Sequence, residues 1–309
     1  MRTTDAREPM MVFVADLHIS KNAPVARSAE PDWFEAIKRQ WKPIADLGLP
    51  ICIAGDIFDR WAVTPEEMHF AIELFSGLEI YAIPGQHDLP NHGYKERYRS
   101  GYGVLEACGA IQNMQEVTKP ITSLYLHPFP WGHALKPCAE LYKQYVNSTH
   151  IAVCHAYCWC AGHNFPGAPS AGKYTHHRTK LTGFDIAVFG DNHKGFIQPC
   201  IGDKPFVLNC GGFMPRKNDE RRYTPYYGLL YSDGEMERYT LPHEKDKWLD
   251  ETAYDEIIDK AVDMTDLVHM LEGLTGEALD FTDAVEQFIK SNMFTDGVRE
   301  CIKDALVKG

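Results

Sequence analysis

The sequence contains no apolar run near the ~18 residues that a bilayer-spanning helix needs, so a membrane-spanning chain is not expected. Its first ten residues, MRTTDAREPM, carry acids and no apolar stretch, which is not the pattern of a secretory signal. The 24 glycines and 19 prolines are too few for a collagen-like or disordered chain. Internal repeats and low-complexity tracts are absent. Positive charge is short as well. A net charge of −12 argues against a protein that coats nucleic acid by bulk electrostatics. The nine cysteines are odd in number and lack an export signal, so reduced thiols in a cytoplasmic protein are expected. Cys154, Cys158 and Cys160 are followed by no second C-x-x-C pair at zinc-finger spacing, and read as buried or unbridged thiols.

What is present divides the chain in two. At 309 residues, two domains or one large domain with an appendage are expected. From His243 onward there are 17 Asp/Glu against 7 Lys/Arg, which leaves residues 1–242 nearly neutral. The boundary is therefore placed at 242/243, between a body (1–242) and an acidic helical C-terminal region (243–309). In that region Asp255–Leu271, Asp283–Ile289 and Val298–Val307 carry helical apolar spacing.

In the body, short apolar runs alternate with helical patterns. Met11–Ala15, Ile51–Ala54, Ile80–Ile83, Ile151–Cys154 and Ile186–Phe189 read as strands buried on both faces of a layered α/β fold. Thr64, Pro65 and Glu67 form a capping-box signature before Met68, Ala71, Ile72 and Phe75. An earlier helix is expected around Pro31–Gln40, and residues 195–241 read as hairpins with Asp233-Gly234 as a turn.

All five apolar runs end in side chains that bind metals: MMVFVADLH, PICIAGDIFDR, EIYAIPGQHD, HIAVCHA and DIAVFGDNH. Loops beyond the carboxyl ends of strands converge on one edge of an open α/β sheet. Asp16, His18, Asp56, Gln86, His87, His155, Asp191 and His193 are thus expected to meet. If these segments stay extended, Asp16 shares a face with His18, and Asp191 with His193. Oxygen and imidazole donors without thiolate favour Mn, Fe or Zn over calcium. With one shared carboxylate the donors suffice for two ions, a pair able to clamp a phosphoryl group.

The order Asp16-Leu17-His18, Gly55-Asp56-Ile57-Phe58-Asp59, Gly85-Gln86-His87-Asp88, His155 and Gly190-Asp191-Asn192-His193 resembles the signature of calcineurin-like metallophosphoesterases. The resemblance covers about residues 10–240. GDIFDR and IPGQHDLP make it most similar to the SbcD-like nuclease subunits of bacterial and phage double-strand-break repair. It implies a four-layer αββα sandwich with a C-terminal helical appendage. It also implies a dinuclear centre, with Mn²⁺ first and Mg²⁺, Fe²⁺ or Zn²⁺ as alternatives. Asp16, His18, Asp56 and His193 would hold one ion. Asp56, Gln86, His155 and Asp191 would hold the other. A hydroxide bridging the ions would attack phosphorus, and His87, oriented by Asp88, would assist the leaving oxygen. Asp59 and Arg60 would support the ligands. Gln86 and Asp191 depart from the usual Asn and His of the pattern. Both changes fall on the second ion and favour oxygen-preferring Mn²⁺ or Mg²⁺, with a degenerate second site as the other reading.

The implied substrate is DNA, single-stranded or at ends. Alternatives are a phosphatase or phosphodiesterase for small nucleotides, a protein phosphatase, or a weakly active scaffold that recruits a repair ATPase. Lys95, Arg97, Arg99 and Tyr98 interleave cations with a ring, as a single-strand channel does, although a solvated loop has the same composition. The loop Lys173–Lys180 and the cluster Arg216, Lys217, Arg221 and Arg222 are similar candidates. Trp131 is expected in the core. The acidic tail could dock an SbcC-like coiled-coil ATPase or pack on its own body, and a homodimer is the other partner expectation.

Overall fold

The computed structural model describes residues 7–139, 148–165 and 167–255. In chain order the elements are β1 (Pro9–Val14), α1 (Trp33–Ala45), β2 (Ile51–Ala54), α2 (Pro65–Phe75) and β3 (Ile80–Ile83). These are followed by α3 (Gly101–Ala107), β4 (Gln112–Asn113), β5 (Thr118–Ile121), β6 (Leu124–Phe129) and β7 (Thr149–His155). The series closes with α4 (Tyr174–Lys180), β8 (Ile186–Gly190), β9 (Phe196–Gln198), β10 (Phe206–Asn209), β11 (Tyr226–Tyr231) and β12 (Met236–Thr240). No helix among the described residues is long and apolar enough to cross a membrane.

The strands form two mixed sheets of six, ordered β12-β11-β1-β2-β3-β4 and β5-β6-β7-β8-β10-β9. In the first, β1, β2 and β3 run parallel, with Val12 opposite Ile51 and Ile51 opposite Ile80. In the second, β6, β7 and β8 run parallel, with Ile151 opposite Ile186. Strand alternation sends side chains to two different cores. Met11 and Phe13 enter the core between the sheets with Ile151, Val153, Ile186 and Val188. Val12 and Val14 face Ile37, Trp41, Phe70 and Phe75 of the helices over the first sheet. A third core covers the outer face of the second sheet, joining Ala152, Ala187 and Phe189 to Leu181 and Tyr174. The layer order is helix, sheet, sheet, helix. Burial on both faces is why these strands read as unbroken apolar runs.

The helices follow their local signals. Asp32 caps α1 by accepting the Glu35 N–H, and Phe34 stacks on Phe70 with centroids 4.0 Å apart. In α2 the Thr64 hydroxyl accepts the Glu67 N–H while the Glu67 carboxylate accepts the Thr64 N–H. Such a box is worth about 1 kcal/mol. The hairpins occur as expected but separate: β9–β10 joins the second sheet through β8, and β11–β12 joins the first through β1. Lys173–Lys180, expected as a loop, forms α4 with His177 and Arg178 buried.

The chain divides into two compact units, Met1–Leu249 and Asp250–Gly309. Residues 243–249 therefore belong to the first unit. Leu249 donates its N–H to Ala26, and Asp246 pairs with the buried Arg27 at 3.0 Å. Residues 251–255 are helical. The helical segments expected further on lie outside the described residues, apart from Asp255 itself.

Candidate metal centre

The carboxyl ends of β1, β2, β3, β7 and β8 open on one edge, where five loops interlock. Asp16 donates its N–H to Gly55 O at 3.0 Å, His18 to Asp56 O at 3.0 Å, and Ile19 to Ile57 O at 2.8 Å. The buried Asp88 accepts the N–H groups of Ile57, Phe58 and Gly85 at 3.0–3.2 Å, tying the second loop to the third. Gly55 has φ +94°, and a Cβ there would lie 2.0 Å from His155 Nδ1. At Gly85 a Cβ would lie 2.1 Å from the Asp56 carboxylate. Only glycine lets these backbones pass so close.

Among the described residues, the non-glycine positions with left-handed backbone are Asp16, His18, Asp56, Asn91, His92 and Asp191. Four of them are expected ligands. Such conformations are costly for residues with a Cβ and cluster where function over-determines geometry. They also correct the expectation of extended segments. β1 ends at Val14, and the chain turns sharply at Asp16 and again at His18, so simple alternation does not bring them together.

The side chains converge nevertheless. Donor atoms of Asp16, His18 and His193 lie within 4.8 Å of one another, as do those of Asp16, Asp56 and His155, and those of His18, Asp56 and His87. The Nε2 atoms of His18 and His193 are 3.0 Å apart. Asp56 Oδ2 lies 3.4 Å from His155 Nε2 and 4.0 Å from His18 Nε2, between the two groups, where a shared carboxylate belongs. Asp191 joins differently. Its N–H reaches both oxygens of Asp16 at 3.1 and 3.0 Å, and its carboxylate accepts the Gln86 amide at 2.6 Å. Gln86 Oε1 in turn lies 2.7 Å from His155 Nε2.

Supporting contacts fix the imidazoles. His155 Nδ1 lies 2.7 Å from Ala54 O, which aims Nε2 at the cluster. His193 Nδ1 lies 3.2 Å from the buried Glu220, and His18 Nδ1 3.5 Å from Asp59. Outer partners of this kind set the tautomer of a ligating histidine. Glu220 escaped the sequence reading. A lone acid among basic residues, distant in sequence from His193, carries no local signal.

Several expectations need correction. Asp88 does not orient the His87 ring. Its carboxylate is occupied by backbone N–H groups, and His87 Nδ1 instead lies 2.7 Å from Asp59 O. Arg60 does not support the ligands but reaches Glu67 at 3.6 Å, and Arg216 pairs with Asp59 at 2.7 Å in that place. Trp131 is half-buried with its ring 6.3 Å from those of His155 and His92, at the rim of the site rather than in the core. Of the basic stretch, Arg97 pairs with Glu106 at 3.2 Å and Arg99 with Glu96 at 2.9 Å, while Lys95 and Tyr98 are exposed.

The electrostatics call for a cation. Asp16 and Asp56 are buried, and none of the described lysines or arginines pairs with them. Burial pushes Asp16 up to about 7; His155 and His193 oppose this, while Asp56 and Asp191 add to it. His155 is raised to about 10, because the charges of Asp56, Asp16 and Asp191 outweigh the burial that disfavours its imidazolium. Burial disfavours charge on His193 too, but Glu220 and Asp16 raise it, and the same contact holds Glu220 down to about 2 against its own burial. Buried carboxylates with imidazoles and no fixed cation suit metal ions.

A fold of two mixed sheets with such a cluster at the strand ends defines a metal-dependent hydrolase. A family model for calcineurin-like phosphoesterase matches residues 10–195, and the chain belongs to that family. It is a metal-dependent phosphoesterase, and its Asp and His clusters are consistent with the family's dinuclear centre. None of the curated protein sequences compared matches it. Similar solved structures include TT1561 of Thermus thermophilus, at 12% identity and TM-score 0.43, covering 75% of this chain and 98% of that one. Another is the calcineurin-like phosphoesterase YfkN from Bacillus subtilis, at 12% identity and TM-score 0.44, covering 82% and 96%. A third is the sulfate thiohydrolase SoxB of Thermus thermophilus, at 8% identity and TM-score 0.45, covering 81% of this chain and 59% of that one.

Proposed function

We propose that this phosphoesterase hydrolyses nucleic-acid phosphodiesters, as a DNA exo- or endonuclease of the SbcD-like kind. One observation carries the reading. A cavity of about 260 Å³ opens beside Asp191 and His193, lined by Tyr157, Phe165, Lys194, Lys217, Asp219 and Glu220, with Lys194 paired to Asp219 at 3.6 Å. Rings that accept a base and cations that accept a phosphate, next to the reacting centre, suit an unstacked nucleotide. Phe165 is exposed and its ring lies 5.0 Å from that of Tyr157. Lys95 and Tyr98 extend the same chemistry on another loop.

Two divalent ions, when bound, supply an activated water and neutralise charge on the phosphoryl oxygens. The residues do the rest. Asp16, His18, Asp56, His155 and His193 fix the donors in a buried cradle. Gln86 and Asp191 add oxygen donors that favour Mn²⁺ or Mg²⁺. His87 is exposed, stands edge-on to His18 at 4.9 Å, and has its Nδ1 tied to Asp59 O, which leaves its Nε2 as the nitrogen to meet a substrate. It is placed to protonate the leaving oxygen.

The same cavity suits a free nucleotide, so substrate comparison decides. Manganese-loaded protein should cleave a single-stranded oligodeoxynucleotide faster than a cyclic dinucleotide or an aryl phosphate. Tyr157→Ala with Phe165→Ala should raise KM for the oligonucleotide and leave aryl phosphate turnover unchanged. Hydrolysis confined to the small substrates would overturn the nuclease reading.

A further inference from the structure

A second cluster of metal-binding side chains lies on the outer face of the second sheet, away from the strand ends that carry the first. His127 is in β6 and His150 in β7, where Tyr125 is opposite His150 and His127 opposite Ala152. By strand alternation both histidines therefore face outward, with Ala152. Cys138, from the connection between these strands, meets them there. The three side chains are 4–5% exposed. His127 Nε2 and His150 Nδ1 are 3.1 Å apart, and one donor atom from each of the three residues lies within 4.8 Å of the others.

From these positions we propose that His127, Cys138 and His150 form a metal site for a zinc ion. The donor set is two imidazole nitrogens and one sulfur, with no carboxylate among them. It suits a borderline-soft divalent cation in tetrahedral geometry. Zinc bonds of about 2.0–2.1 Å to nitrogen and about 2.3 Å to sulfur set tetrahedral donors roughly 3.5 Å apart, close to the 3.1 Å between the two imidazole nitrogens. The rings are already oriented. Tyr125 stacks on His150 with centroids 4.9 Å apart, and Phe184 meets His127 edge-on at 4.9 Å. The Cys138 N–H is held by Thr182 O at 3.1 Å.

Among the described residues, His127 also lines a cavity of about 320 Å³ with Pro128, Phe129, Lys136 and Pro137. Binding replaces the Cys138 S–H bond with an S–Zn bond and releases one proton to solvent, so no oxidant or reductant is involved. The ion would fasten the segment carrying Cys138 to the sheet. It is separate from the catalytic edge: His150 and His155 are five residues apart on β7, roughly 16 Å at about 3.3 Å per residue, and of opposite parity.

The test uses cobalt(II), added to the metal-free full chain under reducing conditions. A thiolate-to-cobalt charge-transfer band can come only from a cysteine ligand, and the catalytic clusters contain none. The band should level off at the intensity of one thiolate–cobalt bond per chain, persist in Asp56→Asn, vanish in Cys138→Ser, and need at least about tenfold more cobalt in His127→Gln. Zinc-loaded Asp56→Asn should show one sulfur scatterer at about 2.3 Å in X-ray absorption. No band and no sulfur scatterer in wild type or Asp56→Asn would overturn the proposal, whether or not the core variants fold. A band that survives in Cys138→Ser would also overturn it.

Discussion

The Gln86 amide donates to the Asp191 carboxylate at 2.6 Å, so the two residues that depart from the family pattern are in contact with each other. The longer side chain of Gln86 spans from His155, 2.7 Å from its Oε1, to Asp191. A histidine at 191 could not accept this amide as a carboxylate does. The two departures are thus coupled. Asp191→Asn removes a negative charge and the acceptor of a charge-assisted bond while keeping the shape. It should weaken the second, looser manganese binding step by at least about tenfold and leave the first little changed. Calorimetric titration of metal-free protein reads both steps. Unchanged affinity at both would remove Asp191 from the ligand set.

His87 stands outside the buried cradle, with its ring positioned by a backbone carbonyl and not by a carboxylate. His87→Ala should lower turnover by roughly 10²-fold or more with metal content near normal. Elemental analysis beside single-turnover rates checks it. The loss should shrink for a substrate whose leaving group needs no proton, such as a nitrophenol ester. An equal loss on both substrates would refute proton donation.

Much of this centre was legible in the sequence because strands buried on both faces are continuous apolar runs, so the first polar residues after them mark one edge. Asp16, His18, Asp56, His155 and His193 were found that way. The layered fold followed from the same runs. What stayed hidden depends on contacts between distant loops. Asp88 was assigned to its sequence neighbour His87, yet its carboxylate bonds to Ile57 and Phe58, some thirty positions earlier. Arg216 takes the place expected of Arg60, because Glu67 lies within reach of Arg60 and Asp59 within reach of Arg216. The left-handed turns at Asp16 and Asp56 have no compositional mark, since neither residue is glycine. α4 lacked an apolar stripe because it buries His177 and Arg178, the latter through a bond to Pro199 O at 2.7 Å.

Removal of metal should destabilise the chain. Burial disfavours the charge on Asp16 more than His155 and His193 favour it, and ligand binding stabilises by mass action. Manganese at about 100 times its Kd adds about 2.7 kcal/mol, a rise in Tm of about 5 °C or more over the chelated protein. Asp16→Asn keeps an oxygen to accept the Asp191 N–H and removes the buried charge. The chelated variant should therefore melt above chelated wild type and respond less to manganese. A Tm that manganese does not move would contradict the cradle itself.

Acid sensitivity has a source remote from the centre, in the capping box of α2. Glu67 accepts the N–H groups of Thr64 at 2.7 Å and Lys21 at 2.8 Å. Burial alone would raise its carboxyl, but these bonds, the Thr64 side chain and Arg60 bring it below its ordinary 4.5. A carboxyl lowered on folding stabilises the native state above its unfolded pKa, and this contribution is lost as pH falls through the folded value. Glu67→Gln should therefore cost about 1 kcal/mol at pH 7, with the deficit shrinking as pH drops below about 4.5. Denaturant melts of both proteins under chelation, from neutral pH down to about 3, separate this from metal release. A deficit that stays constant across that range would show that the charge on Glu67 contributes nothing.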